Sequence, residues 1–251
     1  MAAGDAWVPG RWLAGRVLNR LERALPGWFP TERRSYSHQG EDRVLMDLLD
    51  GHAPRTYVDV GAHHPVESSD TYLLYRCGWS GLAIEGDARW RRAWRRRRPR
   101  DRFVAAVVDV VAGRRQFFLQ GETSTLRGDW AGSQAEAIEV DCVTLGEVLE
   151  RHLPPGGFGL LKIDVEGSDL EILAGLDTRR WRPCAVLVET HHWTTADAVA
   201  DPRLRSWCRD AGYTVVAHNR RNLLLAEDGW LRRRREPVAE AYRILNPTLY
   251  G

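Results

Sequence analysis

The chain has 251 residues, 43% of them hydrophobic, a formal net charge of +2 and four cysteines scattered at 77, 142, 184 and 208. That length builds one substantial domain with at most a small appendage, and the near balance of charge argues against a nucleic-acid binder. Without close cysteine pairs there is no disulfide framework or zinc knuckle to expect, and no apolar run approaches the roughly 20 residues that span a bilayer.

In chain order, MAAGDAWVPGRWLAGRVLNR lacks the continuous apolar core of a signal peptide, so a soluble, unexported, cytoplasmic protein is expected. Residues 11–25 place Leu13, Val17, Leu21 and Leu25 four apart, with Arg16, Arg20 and Arg23 on other faces. The spacing predicts an amphipathic helix. It reads as a lid or a homodimer contact in an N-terminal segment of residues 1–34, with membrane-surface binding the weaker alternative. Pro26, Gly27 and Pro30 break the chain before the main domain, residues 35–251.

From residue 56 short apolar strands alternate with helical stretches. Strands are predicted at Thr56–Val60, Gly81–Glu85, Phe103–Asp109, Phe158–Asp164, Ala185–Glu189, Tyr213–Ala217 and Asn222–Ala226, and helices at Asp70–Cys77, Ala88–Arg97, Asp169–Leu176 and Pro202–Ala211. This alternation argues for an α/β doubly wound fold. Its sheet is mostly parallel and seven-stranded, with helices on both faces and an antiparallel edge hairpin formed by the last two strands. The basic run RWRRAWRRRRPR at 89–100 reads as a solvated helix face rather than a nucleic-acid patch. Lys162 is the only lysine, a bias of coding composition more than of chemistry.

Ligands of such sheets gather at the carboxyl ends of the strands, and there each strand carries an acid or an imidazole: Asp59-Val-Gly-Ala-His-His, Glu85-Gly-Asp, Val108-Asp109, Lys162-Ile-Asp-Val-Glu-Gly and Glu189-Thr-His-His. Gly61 permits a tight turn and close backbone approach, and Glu85 is placed to accept hydrogen bonds from a ribose diol. Only one glycine of the dinucleotide set is present, so a pyrophosphate has no cradle and NAD or FAD is disfavoured. S-adenosylmethionine, an adenosyl cofactor without phosphates, fits the turn and the acid.

The blocks YSHQGEDRVL (36–45), YVDVGAHHPVESSDTYLLYRCGWSGLAIEGD (57–87), TLGEVL (144–149), LLKIDVEGSDLEILAGLD (160–177) and RPCAVLVE (182–189) together resemble the FkbM family of class I S-adenosylmethionine-dependent methyltransferases over roughly residues 35 to 190. The resemblance implies a Rossmann-like methyltransferase that methylates a hydroxyl of a sugar or natural product. It carries cofactor contacts onto Gln39, Asp59, Gly61, Ala62, Glu85, Gly86, Asp109 and Asp164. Gln39, Glu41 and Asp42 match an upstream block that closes over cofactor or substrate, and Ser124, Thr125 and His191 fall on the acceptor side. Gly86 departs from the family pattern, as does Thr125, which stands in place of a second serine.

An alcohol needs its proton removed before it attacks a methyl sulfonium, and two routes stay open. His63 or His64 can serve as general base, or Asp164 and Glu189 with His191 or His192 can hold a divalent cation such as Mg2+. Lys162 is expected to pair with a strand-end acid, a role as structural as it is catalytic, and Glu166 with Gly167 fits the start of a helix. The alternative function is a non-catalytic cofactor-binding or nucleic-acid-associated Rossmann-like protein, which would have no use for polar residues converging at Asp164 and Glu189.

Overall fold

Helix α1 (Glu41–Leu49) leads into the sheet, burying Leu45, Leu48 and Leu49 at the three- and four-residue spacing of one helical face. In this computed structural model, which describes residues 35–190, 192, 194–219 and 221–233, there follow β1 (Thr56–Val60), α2 (Tyr72–Arg76), β2 (Ser80–Glu85), a 3-10 turn at Ala88–Trp90, α3 (Arg91–Arg97) and β3 (Arg102–Ala105). Then come β4 (Val107–Val108), β5 (Gly113–Leu119), β6 (Glu136–Val143), α4 (Leu145–His152), β7 (Gly156–Ile163), α5 (Asp169–Ala174) and β8 (Trp181–Glu189). The described chain closes with α6 (Thr195–Ala200), α7 (Pro202–Ala211), β9 (Tyr213–Asn219), β10 (Asn222–Glu227) and α8 (Asp228–Arg233). The helix predicted at 11–25, its lid or dimer role and the end of the tail lie outside the described residues.

The main sheet has seven strands in the order β3-β2-β1-β7-β8-β10-β9. Neighbours from β3 to β8 run parallel, and β10 is antiparallel to both β8 and β9, as the hairpin reading expected. Strand order reverses between β1 and β7, which opens the crevice where a ligand can enter. Alternation along the strands divides the core: Val58, Val60, Leu161, Ile163, Val186 and Val188 pack on one face with α4, α5 and α7, and Tyr57, Leu160, Ala185 and Leu187 pack on the other with α1. Each such fully buried aliphatic side chain contributes about 1.5–3 kcal/mol.

Local signals fix several ends. Thr144 and Glu147 form a reciprocal capping box on α4, with Thr144 Oγ1 accepting from Glu147 N at 3.2 Å and Glu147 Oε2 accepting from Thr144 N at 2.8 Å. Asp201 caps α7 ahead of Pro202 at the first helical position, where the missing proline N–H costs nothing.

Two sequence readings change. The strand predicted at Phe103–Asp109 is two strands: Ala106 N makes the last rung to Glu85 O at 3.1 Å, and the chain then leaves for a second sheet of order β4-β6-β5. The cause is the β5–β6 hairpin, which recruits Val107 and Val108 and buries Val107, Phe117 and Cys142 together. The basic run is not wholly a solvated face, because Arg98 is completely buried. Its guanidinium donates to Asp101 Oδ2 at 2.6 Å, to Thr71 Oγ1 at 3.1 Å, to Ser69 Oγ at 3.2 Å and to the Tyr57 hydroxyl, and it lies 4.3 Å from the Trp94 ring centre. Asp101 is also fully buried, so the pair satisfies a charge that the interior would otherwise reject.

Candidate active site

The site begins where β1 stops. Gly61 turns at φ 73°, its N and that of Ala62 donate to Ile84 O at 2.9 and 3.1 Å, and Asp164 N donates to Val60 O at 3.1 Å. A Cβ on residue 61 would sit 1.7 Å from the Asp164 carbonyl oxygen. Only glycine therefore lets the loops after β1 and β7 touch. Asp59 lies beneath this turn, nearly fully buried, and accepts the Thr71 hydroxyl at 2.5 Å. Lys162, its neighbour in the register of β7, donates to Gly61 O at 3.0 Å and stands 3.5 Å from Asp59 Oδ1 and 3.4 Å from Asp164 Oδ2. Burial works against this ammonium, but Asp164, Asp59 and Asp70 together hold its pKa above the ordinary lysine value.

The loop after Gly61 is held by its own polar atoms. His63, at φ 40°, donates its N–H to Glu85 Oε2 at 2.8 Å and accepts Trp94 Nε1 on its carbonyl at 2.8 Å. His64 Nδ1 accepts the N–H groups of Val66 at 3.2 Å and Glu67 at 2.8 Å, so it works as the cap of a turn. Both rings meet Trp90 edge to face, at 4.7 and 5.0 Å. The two histidines differ in what they can do. His64 would have to break two hydrogen bonds to take a proton on Nδ1. His63 lines the cleft, and burial lowers its pKa, which leaves the imidazole neutral at pH 7.

Glu85 closes β2 with both carboxylate oxygens engaged, Oε2 by His63 and Oε1 by Asp87 N at 2.7 Å. Burial raises its pKa, against the pull of these two amides. A cleft with about 610 Å³ of empty space, open solvent at its mouth included, runs past it. Val60, Gly61, His63, Glu85 and Gly86 form one bank, Val107, Val108, Phe117 and Leu126 the apolar wall, and Asp164 and Glu166 the far bank. Gly86 is required here, since a Cβ would come within 2.8 Å of Val107 and 2.9 Å of Phe117.

On the far bank three acids converge. Asp164, Glu166 and Glu189 each place a carboxylate oxygen within 4.8 Å of the others. Glu166 holds a left-handed φ of 58°, its carbonyl accepts Thr125 Oγ1 at 2.7 Å, and burial with Asp164 nearby pushes its pKa up to about 7. Asp169 starts α5 and ties the loop, accepting Val165 N at 2.7 Å and Gly167 N at 3.0 Å, its own pKa raised by burial to about 6. Glu189 is 4% exposed; Oε1 lies 3.6 Å from Arg221, and Oε2, buried, has no hydrogen-bond partner among the described residues. Burial, then the neighbouring carboxylates of Asp164, Glu166 and Asp169, raise its pKa well above the usual range.

Of the other residues singled out in the sequence, Ser124 lines the cleft but spends its hydroxyl on Gly121 O at 2.8 Å. Thr125 is buried and fixes the Glu166 loop. Asp109 lies 3.3 Å from Arg115 and caps Val110 N at 2.7 Å. Gln39 stands on a different hollow with Glu41, Asn219 and Asn222, where Glu41 Oε1 accepts both asparagine amides, at 2.7 and 3.0 Å. Asp42 caps its own loop, accepting from Tyr36 N at 2.6 Å and Ser35 Oγ at 2.7 Å. His192 pairs with Asp201 at 3.1 Å, drawn to a carboxylate that Arg203 keeps strongly acidic, and His191 is outside the described residues. The sequence reading missed Arg98, the Val107–Phe117 wall and Glu166 as a member of the acid group. Alternation in EAIEVDCV (136–143) carried the one usable signal, for the second sheet.

The residues fit an adenosyl cofactor: a glycine turn lining the cleft, an acid ending β2, an apolar wall for a base, and no pyrophosphate glycines. Sheet order and cleft together define a Rossmann-like α/β protein with a ligand crevice at the point where strand order reverses. Residues 59–215 match the family described as the methyltransferase FkbM domain, and the chain belongs to that family. A curated relative, "Methyltransferase sdnD" of Sordaria araneosa, is 31% identical over 90 residues, and the match spans 33% of this chain and 33% of that relative's length. Among solved structures, a precorrin-6y C5,15-methyltransferase of Geobacter metallireducens is similar at 14% identity and a TM-score of 0.43, covering 80% of this chain and 94% of that one. The 1,6-didemethyltoxoflavin-N1-methyltransferase of Burkholderia thailandensis, solved with 1,6-didemethyltoxoflavin and S-adenosylhomocysteine, is similar at 13% identity and a TM-score of 0.39, covering 89% and 91%.

Proposed function

We propose that this methyltransferase acts on a hydroxyl oxygen of a small molecule, a sugar or other natural product. The observation that carries the reading is the arrangement of the two banks: a neutral, half-buried His63 on one and a group of carboxylates on the other, facing one cleft. An alcohol must lose a proton during attack, and such groups supply the acceptor and the field for it. When bound, S-adenosylmethionine supplies a methyl group already activated on sulfur.

In this reading Gly61 and Ala62 let the cofactor approach the backbone, and Glu85, whose oxygens each accept one N–H and retain further lone pairs, receives the ribose hydroxyls. Val107, Val108 and Phe117 exclude water from the adenine side. Asp59 and Lys162 are positioning residues: they fix Gly61 O and Asp164 and do not touch the acceptor. His63 takes the hydroxyl proton, and His64 keeps the turn. Ser124 and His191 stand as acceptor-side assignments and Asp109 as a peripheral cofactor contact, while Gln39, on the separate hollow, is not given a cofactor contact. The 11–25 helix as lid or dimer contact belongs to the same reading. So does a reducing, cytoplasmic setting, which the four free cysteines support. Among the described residues no helix is long and apolar enough to cross a membrane.

Calorimetry with S-adenosylhomocysteine, NAD and an oligonucleotide in parallel tests the cofactor, and S-adenosylhomocysteine release over a panel of polyols, glycosides and amines tests the acceptor. Binding of the first ligand only, with turnover on hydroxyl acceptors that His63→Ala abolishes while leaving cofactor affinity intact, is expected. Turnover confined to amines would overturn the oxygen assignment.

A further inference from the structure

The loops after β7 and β8 bring together one group of carboxylates that the fold itself only partly satisfies. Asp164 and Glu166 come from one loop, and Glu189 ends the neighbouring strand. Parallel pairing of β7 with β8 is what brings residues 25 apart in sequence side by side. Their carboxylate oxygens lie within 4.8 Å of one another. Oxygens around a small divalent cation held at about 2.1 Å stand roughly 3–4 Å apart, so a slight closing of the three side chains is all that coordination requires.

A cluster of acids alone would mean little, but Glu189 adds a separate fact. It is 4% exposed, one of its carboxylate oxygens belongs to the cluster, and its Oε2 is buried without a hydrogen-bond partner among the described residues. A native fold rarely leaves a buried carboxylate oxygen unsatisfied unless something else occupies it. The nearby cations do not fill that role: Arg221 reaches only Oε1, at 3.6 Å, from a side chain that is 62% exposed, and Lys162 faces Asp164 Oδ2 while serving Gly61 and Asp59.

We infer that Asp164, Glu166 and Glu189 hold one divalent cation of the oxygen-seeking kind, Mg2+ or Mn2+, at the acceptor side of the cleft. The ligand set is thus three carboxylates. Glu166 takes the place that the sequence reading offered to His191 or His192: His192 is committed to Asp201, and His191 lies outside the described residues. Hard oxygen donors favour these ions over zinc or copper. With the hydroxyl-acceptor reading above, on which its catalytic meaning rests, the cation would draw the acceptor oxygen into place beside His63 and lower its pKa.

The test uses the full chain without cofactor. Mn2+ is titrated while the electron-paramagnetic-resonance signal of the free ion is followed, and thermal unfolding is recorded with and without the ion. One Mn2+ per chain is expected, displaced by Mg2+, with a rise in unfolding temperature. Glu189→Gln should weaken binding about ten-fold or more, and Glu166→Gln with Glu189→Gln should abolish it, while Glu150→Gln, an exposed acid paired with Arg180, changes nothing. The glutamines are isosteric and remove mutual repulsion, so the variants should fold. No binding at millimolar Mn2+, or binding that the double variant leaves unchanged, overturns the site. S-adenosylhomocysteine binding is measured alongside: cofactor without ion defeats only this inference, and ion without cofactor defeats only the functional reading.

Discussion

The two banks of the cleft are built from the same materials, strand-end acids and imidazoles, yet the fold treats them in opposite ways. On the β1–β2 bank most polar atoms are used: Asp59 Oδ2 holds Thr71, Thr71 and Tyr57 are held by Arg98, Glu85 takes two backbone amides, and His64 takes two more, while the buried Asp59 Oδ1 makes no hydrogen bond and has the Lys162 ammonium at 3.5 Å. On the β7–β8 bank Asp164, Glu166 and Glu189 crowd together, one oxygen of Glu189 is unmatched, and Glu166 sits in a left-handed backbone. A bank so largely satisfied is rigid scaffold, which suits the cofactor-holding role proposed for it. An unsaturated one stores unfavourable electrostatics that a ligand, a proton or an ion can relieve.

The contrast predicts opposite signs for substitution on the two banks. The largest effect is expected at Arg98, where Arg98→Met leaves Asp101 charged and buried without its partner and should lower stability by about 3–5 kcal/mol in urea unfolding; a loss below about 1 kcal/mol would break the description of this bank as a locked network. Next, Glu85→Ala should weaken S-adenosylhomocysteine binding by roughly 1.5–3 kcal/mol by calorimetry, and unchanged affinity in a folded variant would remove Glu85 from the ribose.

On the other bank the expected sign reverses with pH. In chelator, the Glu166 and Glu189 carboxyls have folded pKa values above their unfolded ones, about 7 for Glu166 against 4.5. Between those values the folded state binds more protons than the unfolded state, so stability falls as pH rises through that window. The penalty is absent below the unfolded pKa and complete above the folded one. The urea midpoint should therefore drop between about pH 5 and pH 8, less so in Glu166→Gln. A midpoint that climbs across the same range in the parent protein and not in the variant would contradict the direction assigned here. The smallest effect belongs to His64→Ala, which removes one acceptor shared by two loop amides and should cost about 1 kcal/mol, with cofactor turnover retained where His63→Ala loses it.

Much of the scaffold was legible in the chain. Tyr57-Val-Asp-Val, Gly-Leu-Ala-Ile-Glu and Leu-Leu-Lys-Ile-Asp announce buried strands through short apolar stretches, and Gly61 and Glu85, the residues proposed for the cofactor, stand out because each acts through its own backbone turn or strand end. Arg98 was not legible: within RWRRAWRRRRPR every arginine looks alike, and only the tertiary fold sets one of them between Tyr57, Thr71 and Asp101. Val107 and Val108 favour a strand and so read as a continuation of β3, but propensity does not say which sheet will claim a strand.

Sequence pattern alone was enough for the strands of the main sheet, the doubly wound class and the acids at the strand ends, since these follow from periodicities of two and 3.6 residues and from local turn chemistry, but not for the second sheet or for α1, α4 and α6. Which of those acids would be neutralised by a neighbour and which left exposed to one another was decided only in three dimensions. The reason is that electrostatic energy depends on separation and burial, and sheet order sets both: β8 lies against β7, which puts Glu189 beside Asp164, while Asp201, at the start of α7, pairs with His192, one of the two histidines the sequence offered there.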